Sequence, residues 1–204
     1  MRKITINLAA VAAFCIVVAS PALVSSSCAT PKTEQEDTTI IREDSGITAL
    51  KYSSPEVPAS IEFCGKTIDL SRFDRHERMD RELLAFTYMH STSLQMLKKA
   101  NRYFPIVEPI LKENGIPDDF KYLMVIESNM NPTARSSAGA AGLWQFMQGT
   151  GRDYGLEVNN NVDERYHIEK ATRAACRYLK DAYAKYKDWV AVAASYNAGQ
   201  ARIA

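Results

Sequence analysis

The sequence predicts a mainly α-helical domain. Apolar residues recur three and four positions apart along most of the chain after residue 75, which is the period of an amphipathic helix. Strand and helix patterns do not alternate as they do in α/β folds, and no segment is repeated. With 204 residues, 46% of them hydrophobic and 24% charged, the chain can form one sizeable core, which excludes collagen-like and wholly disordered classes.

The first 27 residues have the layout of a secretory signal. Arg2 and Lys3 give a positive start, an apolar run of about 15 residues begins at Ile4, and small residues follow up to Ser27. The run is shorter than the roughly 20 residues that a membrane-spanning helix needs. We therefore predict a signal peptide at residues 1–27 and export to the cell envelope, with an uncleaved anchor as the alternative.

Cys28 stands where bacterial lipoprotein signals place the cysteine that is lipidated. It directly follows three serines, but the aliphatic residue that is usual three positions earlier is missing, because Val24 lies four positions before it. Lipidation of Cys28 and ordinary cleavage near Ala22 are therefore both open. The first would give an outer-membrane lipoprotein with a lipid anchor, and the second a periplasmic protein.

Residues 28–74 are predicted to form a solvated tether and a short hairpin. The stretch up to about Pro58 is rich in Thr, Ser, Glu, Lys and Pro and has no apolar period. Two alternating apolar pairs then flank a turn that contains Gly65: Ile61 with Phe63, and Ile68 with Leu70. This alternation predicts a short β-hairpin before the helical region.

Two helices are predicted next. A long amphipathic helix over residues 77–99 is indicated by five apolar residues that share one face: Met79, Leu83, Phe86, Leu94 and Leu97. A shorter helix over residues 104–113 is ended by Asn114-Gly115 and then Pro117.

Three further helices complete the prediction. The first begins at Asp118, where acidic side chains meet unpaired backbone N–H groups, and cannot extend much past Met130 because Asn131-Pro132 follows. The second is a regular amphipathic helix from Ile168 to Tyr186. The third covers residues 189–194, is apolar on every side as a central buried helix would be, and is followed by a stop signal at Asn197-Ala198-Gly199.

The helix that begins at Asp118 places a carboxyl, Glu127, on its apolar face. The residues below it at i−3, i−4 and i−7 are apolar: Met124, Leu123 and Phe120. Burial and the negative end of the helix dipole both raise the pKa of a carboxyl. A shift on the order of two units, as tabulated for the general acid of lysozyme, would let Glu127 donate a proton near neutral pH. The alternative is a carboxyl that pairs with Arg135 or reaches water.

Residues 133–149 have a composition suited to contact with a ligand. Three glycines among Ala and Ser let backbone approach a bound molecule closely: Gly139, Gly142 and Gly149. Trp144 or Met147 could pack on the face of a sugar, and Gln145 could hydrogen-bond an amide or a hydroxyl. For two neighbouring apolar residues we favour core packing: Leu143 and Phe146. GAAG without a lysine does not support a phosphate cradle.

Several classes of function are disfavoured. Lys and Arg number 25 against 24 Asp and Glu, so no basic surplus points to nucleic acid. The three histidines are far apart and no cysteines have CxxC spacing, so we expect no metal. Cys64 and Cys176 either pair in an oxidising compartment or stay as buried thiols.

Three ordered blocks of residues carry a resemblance to a known family. They are Glu127-Ser128, then Ser136 with GAAGLWQFM at residues 139–147 and Thr150, and finally SYNAG at residues 195–199. Together they resemble the catalytic domain of soluble-lytic-transglycosylase type, glycoside hydrolase family 23. The resemblance extends over residues 75–204.

The resemblance implies a lysozyme-like helical fold that cleaves the β-1,4 bond between N-acetylmuramic acid and N-acetylglucosamine in peptidoglycan, without a cofactor. It assigns Glu127 as acid toward the glycosidic oxygen and then as base toward the muramic C6 hydroxyl, which attacks C1 and closes a 1,6-anhydro ring. It also implies five substrate-binding residues: Ser136, Gln145, Met147, Tyr196 and Asn197. Tyr196 would help to orient Glu127, and the alternative is a buried phenol that bonds to backbone.

A mechanism with one glutamate agrees with the residue pattern. Ordinary glycosidases need two carboxyls, one on each side of the scissile bond. Asp163 and Glu164 lie in a polar stretch, and we interpret them as a helix-entry cap and its pair. Reuse of Glu127 removes the need for a second catalytic carboxyl.

The sequence also departs from the family pattern. It ends five residues after Gly199, where the family continues into a further helix, which predicts a catalytic domain truncated at its C-terminus. Two other functions are kept as alternatives: a goose-type muramidase, which shares the fold and the glutamate but transfers to water, and a wall-binding lipoprotein without turnover, which the missing C-terminal part favours.

Overall fold

The computed structural model describes residues 55–198, and the side chains of Asn197 and Ala198 are outside the described part. The predicted signal peptide, Cys28 and most of the tether lie outside it as well. The described chain is mainly α, as predicted, with one two-stranded sheet ahead of the helices. Within the described residues, no helix combines the length and hydropathy needed to cross a membrane.

The predicted hairpin is confirmed. Strand β1 (Ser60–Phe63) pairs antiparallel with β2 (Lys66–Asp69), and the turn uses positive φ angles of 50° at Cys64 and 75° at Gly65. Its apolar side chains divide between two clusters. Ile61 packs with the first helix, whereas Phe63 enters the main core and lies 6.2 Å from the ring of Phe120.

The prediction of one helix over residues 77–99 is wrong. Helix α1 (Phe73–Tyr88) is followed by Met89, whose ψ of 50° interrupts the helical backbone. Helix α2 (His90–Glu113) begins directly after Met89. The interruption changes which face of α2 is buried. Leu94 and Leu97 are 58% and 37% exposed, and the core side is formed instead by Ser93, Met96 and Ala100.

Helix α2 also continues through the gap that the sequence predicted between residues 99 and 104. Pro105 and Pro109 lie inside it and face solvent, four residues apart on one side. A proline removes a backbone donor and clashes with the preceding turn, so it usually ends a helix. Here the opposite face is fully buried through Phe104, Val107 and Leu111, and this packing outweighs the local cost.

The remaining elements surround the core formed by α2. A 3₁₀ turn (Asp118–Tyr122) leads into α3 (Leu123–Ser128), and a loop follows up to α4 (Gln148–Asp153). A second 3₁₀ turn (Glu164–Tyr166) precedes α5 (Ile168–Tyr186), whose bounds agree with the prediction and which packs against α2. Cys176 of α5 is a buried free thiol, and Cys64 is also free, so the two do not pair.

The last helix, α6 (Trp189–Ala198), is longer than predicted and less buried. Of its described side chains only Val192, Ala193 and Ser195 are buried. Trp189 is half-buried and stacks on Tyr183 of α5 at a ring distance of 4.1 Å. The helix therefore packs on α5 at the border of the core and brings Tyr196 toward α3.

Candidate active site

Glu127 lies in the last turn of α3, as the sequence predicted. Asn129 caps this helix in the left-handed conformation, with a φ of 50°, and its N–H donates to the carbonyl of Val125 at 2.9 Å. Met130 also has a positive φ of 51°. Two consecutive left-handed residues turn the chain sharply away, so Glu127 lies one residue before the end of the helix.

The Glu127 side chain is half-buried, and one of its carboxyl oxygens is withdrawn from water. Within the described residues its Oε1 atom is buried and makes no hydrogen bond, and no ion pair joins the carboxyl to Arg135. Burial raises the pKa of Glu127 from an ordinary value of 4.5 to about 7. The alternative of a carboxyl paired with Arg135 is therefore wrong, and burial alone accounts for the direction of the shift.

Ser128 fixes the position of α3 against the loop that follows it. Its hydroxyl is buried and lies within hydrogen-bond distance of two carbonyls, that of Met124 at 2.9 Å and that of Leu143 at 3.0 Å. The second contact joins the end of α3 to the GAAGLWQFM segment. The backbone beside Glu127 is thereby tied to the loop, a role for Ser128 that the sequence motif contains but spacing alone did not indicate.

Tyr196 is near Glu127 but bonds to backbone. Its hydroxyl donates to the carbonyl of Trp144 at 2.8 Å, and its ring makes an edge contact with Tyr178 at 5.1 Å. Burial first, and then the negative charge of Glu127, raise the pKa of Tyr196 well above its usual range. The phenol is therefore neutral, and the geometry matches the alternative of a buried phenol satisfied by backbone.

Ser136 and Gln145 both shape the loop between α3 and α4. The Ser136 hydroxyl oxygen accepts the N–H of Ala140 at 3.0 Å. Gln145 has a φ of 48°, and its side-chain N–H₂ group donates to the carbonyl of Gly142 at 2.8 Å and to that of Ala134 at 3.3 Å. The Ser136 hydroxyl proton and the Gln145 side-chain carbonyl remain available to a ligand.

The apolar residues of this loop separate into core and surface. Leu143 and Phe146 are buried, which confirms the core packing favoured for them. Trp144 is 0% exposed and its indole N–H donates to Thr172 at 3.0 Å, so the interpretation of Trp144 as a sugar platform is wrong. Met147, at the start of α4, is 46% exposed and is the member of this group that a ligand can reach.

Arg165 is a buried structural residue that sequence reasoning missed. It is 5% exposed, pairs with Asp163 at 2.7 Å, and donates to the carbonyls of Gly139 at 2.8 Å and Phe146 at 3.0 Å. Gly142 packs against its backbone, since a Cβ there would lie 1.9 Å from the Arg165 carbonyl oxygen. Gly142 thus serves close packing within the protein, not the approach of a ligand that the sequence suggested.

Asp163 and Glu164, the two acidic residues of the VDER segment at residues 162–165, have the structural roles expected for them. Asp163 accepts the N–H of Arg165 at the start of the second 3₁₀ turn and pairs with its guanidinium. Glu164 accepts the N–H of Glu157 at 2.8 Å and pairs with Lys170. Both carboxyls are held by donors, in contrast to Glu127. The carboxyls that precede Arg165 in the sequence indicated an ion pair, but nothing in the spacing indicated the loop carbonyls that Arg165 holds.

Two further expectations concern a metal site and the contact of Asn197 with substrate. Between residues 55 and 198, no three His, Cys, Asp or Glu side chains are grouped so as to hold a metal ion. Asn197 belongs to α6, but its side chain is outside the described part, so its predicted contact with substrate stays a prediction.

Comparison with known proteins gives consistent matches. Residues 105–204 match the family model of the Transglycosylase SLT domain. Membrane-bound lytic murein transglycosylase D of Escherichia coli (strain K12) is 31% identical over 128 residues, which are 62% of this chain and 27% of that protein. Peptidoglycan transglycosylase gp16 of Escherichia phage T7 is 33% identical over 93 residues, 44% of this chain and 7% of that protein. A putative tributyltin chloride resistance protein of Alteromonas sp. (strain M-1) is 23% identical over 117 residues, 57% of this chain and 56% of that protein. The match therefore spans about a quarter of the first of these relatives.

Proposed function

Because residues 105–204 match the family model of the Transglycosylase SLT domain, we propose that this chain is a lytic transglycosylase that cleaves the glycan strands of peptidoglycan. The observation that carries the proposal is the state of Glu127. Among the described residues its buried Oε1 lacks a donor, and burial raises the pKa of Glu127 to about 7. Near neutral pH a large fraction of the molecules then holds a proton at this site, as a general acid requires.

The proposed reaction uses Glu127 twice. The protonated carboxyl donates its proton to the glycosidic oxygen as the bond from the muramic C1 to that oxygen breaks. The resulting carboxylate then accepts the proton of the muramic C6 hydroxyl as that oxygen forms a new bond to C1. The products are a free N-acetylglucosamine hydroxyl and a 1,6-anhydro ring, Glu127 recovers its proton, and no water is consumed.

The contacts of Asp163 and Glu164 support a mechanism with one carboxyl. Asp163 is bound to Arg165, and Glu164 is bound to Lys170 and to a backbone N–H. Withdrawing either from these donors would leave a charge or a backbone group unpaired. They are therefore poor candidates for the second carboxyl that a hydrolytic pair needs.

We assign the substrate contacts to groups that keep free hydrogen-bonding or apolar surface. The Ser136 hydroxyl and the Gln145 carbonyl would bond to the glycan, and the exposed Met147 side chain would pack on a sugar ring. Tyr196 would hold the Trp144 carbonyl and the wall behind Glu127, and Asn197 would extend that wall.

The proposal includes a place of action in the cell envelope. It keeps residues 1–27 as an export signal, residues 28–74 as tether and hairpin, and residues 75–204 as the catalytic domain. Peptidoglycan strands are the proposed partner, and a lipid at Cys28 would hold the domain close to them.

Product analysis tests the reaction. Purified protein is incubated with isolated peptidoglycan, and the released muropeptides are examined by mass spectrometry. We expect 1,6-anhydro ends, which are 18 mass units lighter than reducing ends because no water is added. Reducing ends would identify a goose-type muramidase instead, and binding to sacculi without release of fragments would identify a wall-binding protein without turnover.

A pH profile tests the role of Glu127 in the same assay. Above its pKa of about 7 the protonated fraction of Glu127 falls about tenfold per pH unit. We therefore expect kcat/KM to fall with that slope from pH 7 to pH 9. A profile that stays flat up to pH 9 would contradict a protonated Glu127 as the acid.

A further inference from the structure

A polar groove lies between the N-terminal half of α2 and the segment that follows Glu127. It is a cavity of about 240 Å³ that opens to solvent. Its lining comes from two parts of the chain: Thr92, Gln95, Met96 and Lys99 of α2, and Ser128, Asn129 and Asn131 after Glu127. None of these residues has been given a role in the glycan contacts above, apart from the Ser128 bond that holds the loop.

The charge of the groove selects a class of ligand. Lys99 is the one cation among its lining residues, and the lining contains no carboxylate. The Lys99 ammonium donates to the carbonyl of Asn129 at 3.1 Å, which fixes its position and leaves two of its three N–H bonds for a ligand. A negatively charged group such as a carboxylate is the complement of this site.

The other polar groups of the groove suit amides. Gln95 is exposed, and within the described residues its side-chain amide makes no hydrogen bond. Asn131 uses its side-chain oxygen to accept from Thr133, which leaves its N–H₂ group free to donate. Met96, 8% exposed, forms an apolar floor between them. Donors, an acceptor and a short apolar surface together match a peptide that carries carboxylates.

The groove is also close to the proposed reaction centre. Asn129 is two residues after Glu127, so their Cα atoms are at most about 7.6 Å apart. The left-handed turn at Asn129 and Met130 fixes this short connection. In peptidoglycan, an acidic peptide stem is attached to the lactyl group of the same muramic acid whose glycosidic bond is cut. The stem is several residues long, and each extended residue spans about 3.3–3.6 Å, so a stem on a glycan bound at Glu127 would be long enough to reach the groove.

From this arrangement we propose that the groove between α2 and residues 128–131 binds the acidic peptide stem of peptidoglycan, with Lys99 pairing with a stem carboxylate. The inference rests on the proposed function, since it concerns the substrate of the same site. It makes the peptide, and not the glycan alone, a determinant of which strands the protein binds. Lys99 is then a specificity residue that takes no part in the reaction.

Binding measurements on a protein without turnover test this proposal. In the Glu127→Gln background, the dissociation constant is measured at low ionic strength for a muramic-acid-containing tetrasaccharide with its peptides, and for the same tetrasaccharide after an amidase has removed them. Adding Lys99→Gln should weaken binding of the first ligand about five- to tenfold and change binding of the second less than twofold. The second ligand still carries the lactyl carboxylates, so it separates the stem from the sugar.

Lys98→Gln in the same background is the matched control, because Lys98 is the exposed neighbour of Lys99 and does not line the groove. It should leave both dissociation constants unchanged within twofold. Equal losses on both ligands, or no loss on either, would overturn the proposal. Failure of the proposed function is read separately, as absence of anhydro products from the unmodified protein, and binding that depends on Lys99 and on peptide would stand in that case.

Discussion

Two carboxyls contact or adjoin the same loop, and their surroundings are opposite. Asp163 pairs with the buried guanidinium of Arg165, whose other N–H groups hold the loop at Gly139 and Phe146, and this contact keeps the pKa of Asp163 below its usual value. Glu127 is held beside the loop through Ser128, but no donor in the described part of the chain reaches its Oε1, and burial raises its pKa to about 7.

The difference teaches that the surroundings, and not the residue type, separate a structural acid from a reactive one. A carboxylate that receives hydrogen bonds is stabilised in its charged form, so at neutral pH it holds no proton that it could donate. A buried carboxyl without donors prefers to be neutral and is therefore able to supply one. The fold uses the first kind to fix the loop and the second kind beside it, where the proposed chemistry takes place.

The largest expected effect comes from removing the acid. Glu127→Gln keeps the shape of the side chain but cannot donate a proton, so release of peptidoglycan fragments should fall about 10²- to 10⁴-fold. The rate of fragment release per mole of folded protein checks this. Glu164→Gln is the control in the other carboxyl region and should keep the rate within about threefold. A comparable rate for Glu127→Gln would remove the distinction between the two carboxyls.

The next largest effect is expected from replacing Arg165, the partner of Asp163, and it concerns the free energy of unfolding. Arg165→Met fills similar volume but leaves two loop carbonyls and Asp163 without their donor, so the free energy of unfolding should fall by about 3 kcal/mol. Chemical denaturation measures it.

Arg173→Met provides the control for that loss. Arg173 is exposed and pairs with Glu113 at 3.2 Å on the surface, so its replacement should cost less than about 0.5 kcal/mol. Equal losses for the two variants would mean that Arg165 does not hold the loop as its contacts indicate.

The sequence predicted features that depend on neighbouring residues and missed those that depend on contacts between distant residues. Glu127 stood out because a carboxyl on an apolar helical stripe is a local pattern, and the α5 bounds and the hairpin are local patterns as well. Arg165 was missed because its carbonyl partners at Gly139 and Phe146 are 26 and 19 residues away, and spacing carries no signal for them. Trp144 was misassigned for the same reason, since its partner Thr172 belongs to α5.

The errors in α1 and α2 have a different origin. A break of one residue at Met89 shifts the helical phase, so Leu94 continues the apolar stripe in the sequence but not in space. The predicted gap between residues 99 and 104 is absent, because the buried side of α2 holds the helix continuous through it. In both places packing between distant segments decides the outcome, and a single sequence does not contain that information directly.

A smaller effect concerns the pH dependence of stability. The pKa of Glu127 is raised in the folded state, so ionisation favours unfolding, and the penalty is absent below about pH 4.5, grows up to about pH 7 and is constant above. Glu127→Gln should therefore be more stable than the unmodified protein by about 1–3 kcal/mol at pH 8 and equal to it at pH 4. Thermal unfolding at both pH values checks this. A difference that is the same at pH 4 and pH 8 would show that the carboxyl is not destabilised when charged.

The smallest effect is expected from Tyr196, which lies near Glu127 and whose hydroxyl donates to the carbonyl of Trp144 in the loop. Tyr196→Phe leaves that carbonyl unpaired and should lower the free energy of unfolding by about 1 kcal/mol. Because the phenol bonds to backbone, the pKa of Glu127, followed by carbon-13 NMR of its carboxyl, should move by less than about half a unit. Tyr178→Phe, which keeps the ring contact with Tyr196, serves as the matched control. A larger change in the pKa of Glu127 in Tyr196→Phe alone would mean that the phenol acts on the carboxyl directly. The pKa of Glu127 would then depend on a hydrogen-bond donor as well as on burial.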